Sequence, residues 1–180
     1  MIEFVKPERW MVERLAAAMR PADAAEVWAS GMRTPLESLV DGWGVSDFAT
    51  VACWDGEPLV MFGLVKRDIL TGTGTLWMLG ADTVRDHKRE LLKQTPPVIA
   101  EMLTICPRLC NMVHNKNTSS IRWLKWLGFT VEGPVTHGPL GELFHLFHLE
   151  GYQDVRSSNN CGDNHRSIGR LPSESTAPAG

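Results

Sequence analysis

A single α/β domain, with a mixed central sheet and helices on both faces, is what three observations predict. Segments with a helical apolar period alternate with shorter runs rich in β-branched and aromatic residues. At 180 residues the chain has the length of one domain with a substantial core. Its composition, 43% hydrophobic and 22% charged, is that of an ordinary globular protein.

The elements follow in order. Ile2–Val5 reads as a short strand closed by Pro7. In Glu8–Met19, Trp10, Met11, Leu15 and Met19 fall at helical spacing, with Pro21 beyond the end. Ala22–Ala29 is a second helix that Gly31 should stop, and Pro35–Trp43 a third. Phe48–Trp54 and Pro58–Val65 are strands joined by Asp55-Gly56, a pair suited to tight hairpins because both residues tolerate positive φ. Thr71-Gly-Thr-Gly-Thr then turns into the strand Leu76–Leu79.

Thr83–Gln94 reads as a helix capped by Asp82 or Thr83, and Thr95-Pro96-Pro97 as the start of a separate helical stretch reaching Ile105. Leu109–His114 is a strand. Asn117 caps a helix over Thr118–Leu127, and Gly128 is placed to end it in the left-handed region. Phe129–Glu132 and Gly141–Glu150 are the last strands. The order is β-α-α-α-β-β-β-α-β-α-β-β, a layered mixed-sheet architecture.

The domain occupies 1–150. In 151–180 only Val155, Ile168 and Leu171 are apolar enough to pack, at no regular period, so that stretch reads as a disordered tail. The net charge of -3, with no strongly basic half, argues against a nucleic-acid partner. No apolar run approaches the ~18 residues of a membrane span. The start, Met1-Ile-Glu-Phe-Val-Lys, lacks a signal-peptide pattern. Four cysteines do not make a disulfide scaffold at this size. The expectation is a cytosolic protein.

Three clusters are chemically suggestive. Cys106-x3-Cys110-x3-His114 has the residue types of a metal site, but Pro107 separates the first pair and no fourth ligand lies nearby, so buried thiols are expected and no metal. His145 and His148 lie three apart on a strand and face opposite sides. Thr71–Thr75 lacks the Lys and the following helix of a phosphate loop.

The informative stretch is Asn117-Thr-Ser-Ser-Ile-Arg-Trp-Leu-Lys-Trp-Leu-Gly128-Phe129. An Asn opening a helix, a small residue three later and a closing Leu-Gly-Phe resemble the last signature of the GCN5-related N-acetyltransferase (GNAT) superfamily. A wider ordered set comprises Arg20–Gly31, Asp55-Gly-Glu-Pro-Leu, Trp77-Met-Leu-Gly80, Leu109-Cys-Asn-Met-Val113 and Phe144-His-Leu-Phe147. With Asn117–Phe129 it is similar to a GNAT-like family of short-tailed phages that includes internal virion protein A.

The resemblance implies an acetyl-CoA site between splayed strands. The main chain of Met78, Leu79 and Gly80 would hold pantetheine, and Arg85, His87 and Lys88 would face the phosphates at a helix start. Asn117 and Ser120 would lie near the thiol. For a base, His114 and Glu26 are the candidates. Two departures stand out. Arg85-Asp-His-Lys-Arg-Glu90 occupies the place of a glycine-rich phosphate loop, and Leu124 replaces the Tyr that commonly protonates the leaving thiolate. Of Trp123 and Trp126, core packing takes one, and the other, with Trp43 or Trp28, would line an acceptor pocket or a protein contact. Three functions therefore stay open: an amine acetyltransferase, a non-catalytic virion component with phage or host protein partners, and a factor that disables a host protein. The phage resemblance implies the host cytoplasm, or association with the virion.

Overall fold

The computed structural model describes residues 1–151; the expected tail 151–180 lies, except for Gly151, outside the described residues. The elements are β1 (Ile2–Val5), α1 (Arg9–Ala17), α2 (Pro21–Gly31), α3 (Pro35–Val45), β2 (Phe48–Trp54), β3 (Glu57–Asp68), β4 (Thr73–Gly80), α4 (Val84–Ile105), β5 (Arg108–His114), α5 (Thr118–Trp126), β6 (Thr130–His137) and β7 (Glu142–Glu150). They form one mixed sheet in the order β1-β2-β3-β4-β5-β7-β6. The element order and fold class are those expected from the sequence.

Two cores hold helices to the two faces. On one, Leu91, Val98, Ile99 and Met102 of α4 and Leu124 of α5 pack on Phe62, Leu64, Leu76, Leu109 and Phe147. On the other, Met11, Val12 and Leu15 of α1, Val27 of α2 and Leu39 of α3 cover Val51, Met61 and Leu79. The Asp55-Gly56 hairpin has φ 48° and 84°, as its residue types require.

Three local expectations are corrected. The stretch Thr83–Ile105 is one helix rather than two, with Pro96 and Pro97 inside it. Buried Leu91, Thr95, Val98, Ile99 and Met102 carry one apolar stripe across the prolines. Both prolines are exposed, so the carbonyls of Leu92 and Lys93 that lose their N–H partners face solvent. Helix α2 runs through Gly31 and ends on Met32, which takes the left-handed conformation (φ 53°). Finally, Thr73-Gly74-Thr75 belongs to β4, because these residues pair with both β3 and β5.

That double pairing positions the site. Strand β4 runs parallel to β5 only through Thr73↔Arg108, Gly74↔Leu109 and Thr75↔Cys110. Beyond Thr75 the strands part, while β4 stays paired to β3 as far as Gly80. The Asn111 side chain wedges the opening, its Nδ2 donating to the Leu76 carbonyl (2.8 Å). On the far side of β4, Trp77 lies across Gly63 of the neighbouring strand. A Cβ at Gly63 would come within 2.2 Å of the indole, so only glycine leaves room for it.

Candidate functional site

The gap between β4 and β5 joins two clefts. One, of about 660 Å³, lies between α4 and α5 and is lined by Met78, Gly80, Val84, Arg85, Lys88, Ser119 and Arg122, among others. The other, of about 520 Å³, opens on the α2–α3 side and is lined by Glu26, Val27, Arg33, Asp41, Trp77 and Phe144, among others. Met78, Ser120 and Trp123 line both, so a molecule threading the gap touches these three side chains.

Backbone alternation decides what β4 offers there. The Gly80 N–H donates to Asp23 Oδ2 (2.9 Å) and the Leu76 carbonyl accepts from Asn111, so residues of that parity face the gap. Met78, between them, turns its N–H and C=O into the opening, whereas the main chain of Leu79 faces β3. Of the three residues expected to hold pantetheine by their backbone, Met78 has both groups directed into the gap, and Gly80 has its N–H already engaged.

A buried polar network stands behind the gap. Arg20, Asp23 and Glu26 are three residues apart, which puts them on one face of the helix entered at Pro21. Arg20 forks onto both carboxylate oxygens of Asp23 (2.9 and 2.5 Å) and reaches Ser120 Oγ (3.1 Å). Asn117 Nδ2 donates to Asp23 Oδ1 (3.2 Å) and Glu26 Oε2 (3.0 Å), while its Oδ1 accepts the Ser120 N–H (3.4 Å). The cap residue of α5 is thus also the bridge between two carboxyl groups. Glu26 Oε2 takes a second hydrogen bond from the His114 backbone N–H (3.0 Å).

Glu26 is the perturbed group. Burial pushes its carboxyl from the ordinary 4.5 up to about 7, against the hydrogen bonds from Asn117 and His114 N–H that favour the anion. The neighbouring Asp23 charge raises it further and Arg20 lowers it. A carboxyl with that affinity for protons, on the wall of a cleft, is suited to take a proton near neutral pH.

His114 is placed differently. Its ring is 3% exposed, packs on Phe144 (centroids 4.9 Å apart) and is bonded through Nε2 to Glu142 (2.8 Å). Lys116 holds the same Glu142 oxygen (2.8 Å), and the two donors, Lys116 first, keep that carboxyl below the usual range. The His114 ring lines neither cleft, and its backbone is what meets Glu26.

At the start of α4, Arg85 and Lys88 line the α4–α5 cleft while His87 turns away and stacks on Trp54 (4.3 Å, 24°). Arg85 pairs with Asp82 (2.5 Å), and Thr83 makes no side-chain cap. Arg122 of α5 also lines the cleft, as does Arg20, which is held by Asp23. Leu124, at the expected Tyr position, lines the other cleft. The Trp residues resolve into Trp123 at the junction, Trp126 at the α4–α5 cleft, and Trp77 in the acceptor-side wall. Trp28 and Trp43 line neither cleft, and on the wall of the α2–α3 cleft the tryptophan is Trp77. Its seat, Gly63 across the sheet and Ser46 Oγ on its Nε1 (3.0 Å), comes from non-local pairing that no local pattern signals. Arg20 and Asp23 did carry a signal, the spacing of three that ends at Glu26.

His145 bonds the Glu132 carbonyl (2.7 Å) and Asn115 (2.8 Å), and His148 bonds the Glu132 side chain (3.0 Å). Among the described residues, no group of three or more His, Cys, Asp or Glu is arranged to hold a metal ion, and no helix is long and apolar enough to cross a membrane.

No family model matches this chain and no curated protein matches it. Solved structures do. It is similar to spermidine N-acetyltransferase from Vibrio cholerae, solved with CoA and spermine (TM-score 0.63, 11% identity, 83% of this chain and 95% of that one). It is also similar to ribosomal-protein-S5-alanine acetyltransferase from Vibrio fischeri (TM-score 0.59, 14% identity, 83% and 93%). A GNAT-family acetyltransferase from Streptococcus pneumoniae matches as well (TM-score 0.57, 13% identity, 84% and 100%). The fold is that of the GNAT acetyltransferases.

Proposed function

We propose that the protein transfers an acetyl group from acetyl-CoA to an amine, with Glu26 as the base. The observation that carries this is the through-sheet junction. Two clefts meet at Met78, Ser120 and Trp123, and a carboxyl raised to about 7 stands on the wall of one of them. The residues present fit an extended acyl carrier in the α4–α5 cleft. Met78 offers a strand N–H and C=O with no strand partner, and Arg85, Lys88 and Arg122 supply cations for phosphates in place of a glycine-rich loop.

When bound, acetyl-CoA supplies the acyl carbon, to which the amine nitrogen bonds as the C–S bond breaks and coenzyme A leaves as thiolate. The proton lost by the amine goes to the Glu26 carboxylate. Asn117 and the His114 N–H hold that carboxylate toward the site, and Arg20 and Asp23 fix Asn117 and the Ser120 hydroxyl. Positioning of this kind lowers the barrier by removing the freedom of the reacting groups.

A thermal-unfolding scan with and without acetyl-CoA tests the reading. Ligand at ~100 times its Kd stabilises the folded state by about 2.7 kcal/mol, which raises Tm by roughly 5–10 °C in a domain of this size. With a shift of that size, CoA release is then assayed across an amine panel. The second reading is a non-catalytic, phage-particle or host-directed protein that keeps only the fold. The uncapped, glycine-free start of α4 and Leu124 in place of Tyr favour it. No shift at millimolar acetyl-CoA would overturn the transfer reading and favour this one.

A further inference from the structure

We infer that Ser120 holds the departing sulfur of coenzyme A as a thiolate, through a hydrogen bond from its hydroxyl at the junction of the two clefts. This deepens the proposed transfer and rests on it for the reaction served.

The place of the sulfur follows from the place of the base. Glu26 lines the α2–α3 cleft alone, so the amine stands there and the carrier lies in the α4–α5 cleft. The C–S bond that breaks therefore spans the junction, where the lining residues common to both clefts are Met78, Ser120 and Trp123. The Trp123 indole N–H is sealed from solvent without a partner, and the Met78 side chain has no proton to donate. Ser120 is left as the side-chain donor. The Asn117 amide fixes it beside the base: its Nδ2 donates to Glu26 (3.0 Å) and its Oδ1 accepts the Ser120 N–H (3.4 Å).

The bonding around Ser120 leaves its one hydrogen for a ligand. Its oxygen accepts from Arg20 Nη2 (3.1 Å), and among the described residues nothing accepts its proton. The Asp23 carboxylate, joined to Ser120 through Arg20, is full: it takes two hydrogen bonds from Arg20, one from Asn117 and one from the Gly80 N–H. A donor to the serine oxygen also polarises its O–H, which strengthens the bond that the O–H gives. Leu124, where a proton-donating Tyr is expected, offers nothing to an anion. As the amine nitrogen bonds to the acyl carbon, the C–S electron pair passes to sulfur and the amine proton to Glu26. Ser120 keeps its own proton and shares it with the anion, a donor already in place when the charge appears.

Calorimetric titration of the full chain with CoA against desulfo-CoA, which lacks only the sulfur, tests this without turnover. The cations Arg20, Arg85, Lys88 and Arg122 face the phosphates of both ligands alike. Glu26→Gln reproduces the neutral carboxyl present when the thiolate forms. In that variant CoA should gain about tenfold or more over desulfo-CoA between about pH 6.5 and 9.5, as its thiol ionises. The wild-type chain should show the same gain in smaller measure, because Glu26 is itself ionised above about 7. Ser120→Ala, whose fold is checked by its melting curve, should erase the gain, and Ser120→Thr should keep part of it. Ser120→Ala should also lower kcat for CoA release ~10–100-fold, with KM for acetyl-CoA changed less than about threefold. No gain with pH, a gain that survives Ser120→Ala, an unchanged kcat in folded Ser120→Ala, or no binding of CoA overturns the inference. A thiolate gain without CoA release from any amine would sink the proposed transfer and leave this assignment standing; release without the gain would do the reverse.

Discussion

At the inner end of the α4–α5 cleft, Asp23, Asn117 and Ser120 are 1%, 2% and 7% exposed, and each has a hydrogen-bond partner from another element. At the outer end, Arg85, Lys88 and Arg122 stand on exposed turns of α4 and α5, and the one ion pair there, Arg85–Asp82, is 72% and 45% exposed. The inner end is therefore positioned by buried, mutually satisfied polar groups, which cost several kcal/mol to disrupt. The outer end works through solvated charges worth little singly and screened by salt. On the proposed reading, geometry for chemistry is stored where water is excluded, and attraction for phosphates is left to solvated side chains.

Substitutions can break or sharpen that contrast. The largest effect belongs to Glu26→Gln, which keeps the shape and removes the base. The acetyl-transfer rate should fall by roughly 10²–10⁴-fold, measured as CoA release under saturating substrates. Its stability should not fall. The Glu26 carboxyl holds a proton in the folded state from 4.5 to about 7 that the unfolded chain has lost, so its contribution to stability declines as pH rises through that window. Above pH 7 the Gln variant should therefore melt at or above wild type, and a lower Tm there would contradict the buried placement of the carboxyl.

Asp23→Ala comes next. It strands the Arg20 guanidinium and the Gly80 N–H in a buried site, at a cost of about 3–5 kcal/mol. The Tm should drop by roughly 10 °C or more in a melting scan. A drop within 2 °C or so would show that the network is not what holds the inner end.

Smaller still is the pair Lys88→Ala and Arg122→Ala. Together they should weaken CoA binding by about tenfold, with a shallower dependence on salt than wild type, whereas His87→Ala leaves affinity unchanged because its ring rests on Trp54. Last, His114→Ala should lower Tm, since a buried ring is lost, while changing the rate per folded molecule by less than about threefold: its backbone N–H still meets Glu26. A hundredfold loss in a folded His114→Ala would return the base to the histidine. For the wild type, kcat/KM should rise through pH about 7 as Glu26 loses its proton.

Several features are legible in the sequence alone. Apolar period, turn dipeptides and the Asn117 cap predicted every element in its order, because each depends on residues within a few positions of one another. The error at Pro96-Pro97 has the same origin: a local breaker rule was applied where the amphipathic stripe and exposed prolines allowed the helix to continue. Glu26 and His114 are both visible in the sequence as titratable residues, but residue type alone does not separate them. The fold separates them: burial raises the Glu26 carboxyl to about 7, and the His114 ring is held by a hydrogen bond to Glu142.

By itself, then, the sequence determined the α/β class, the strand and helix order, the Asp55-Gly56 turn and the capped start of α5. All are properties of short-range stereochemistry and periodicity. Tertiary structure alone decided that β4 parts from β5 after Thr75, that Asn117 bridges Asp23 and Glu26 across more than ninety residues, and that Trp77 rests on Gly63. Burial, field and approach distance depend on which distant segments come together, and that is settled by packing rather than by neighbours in the chain.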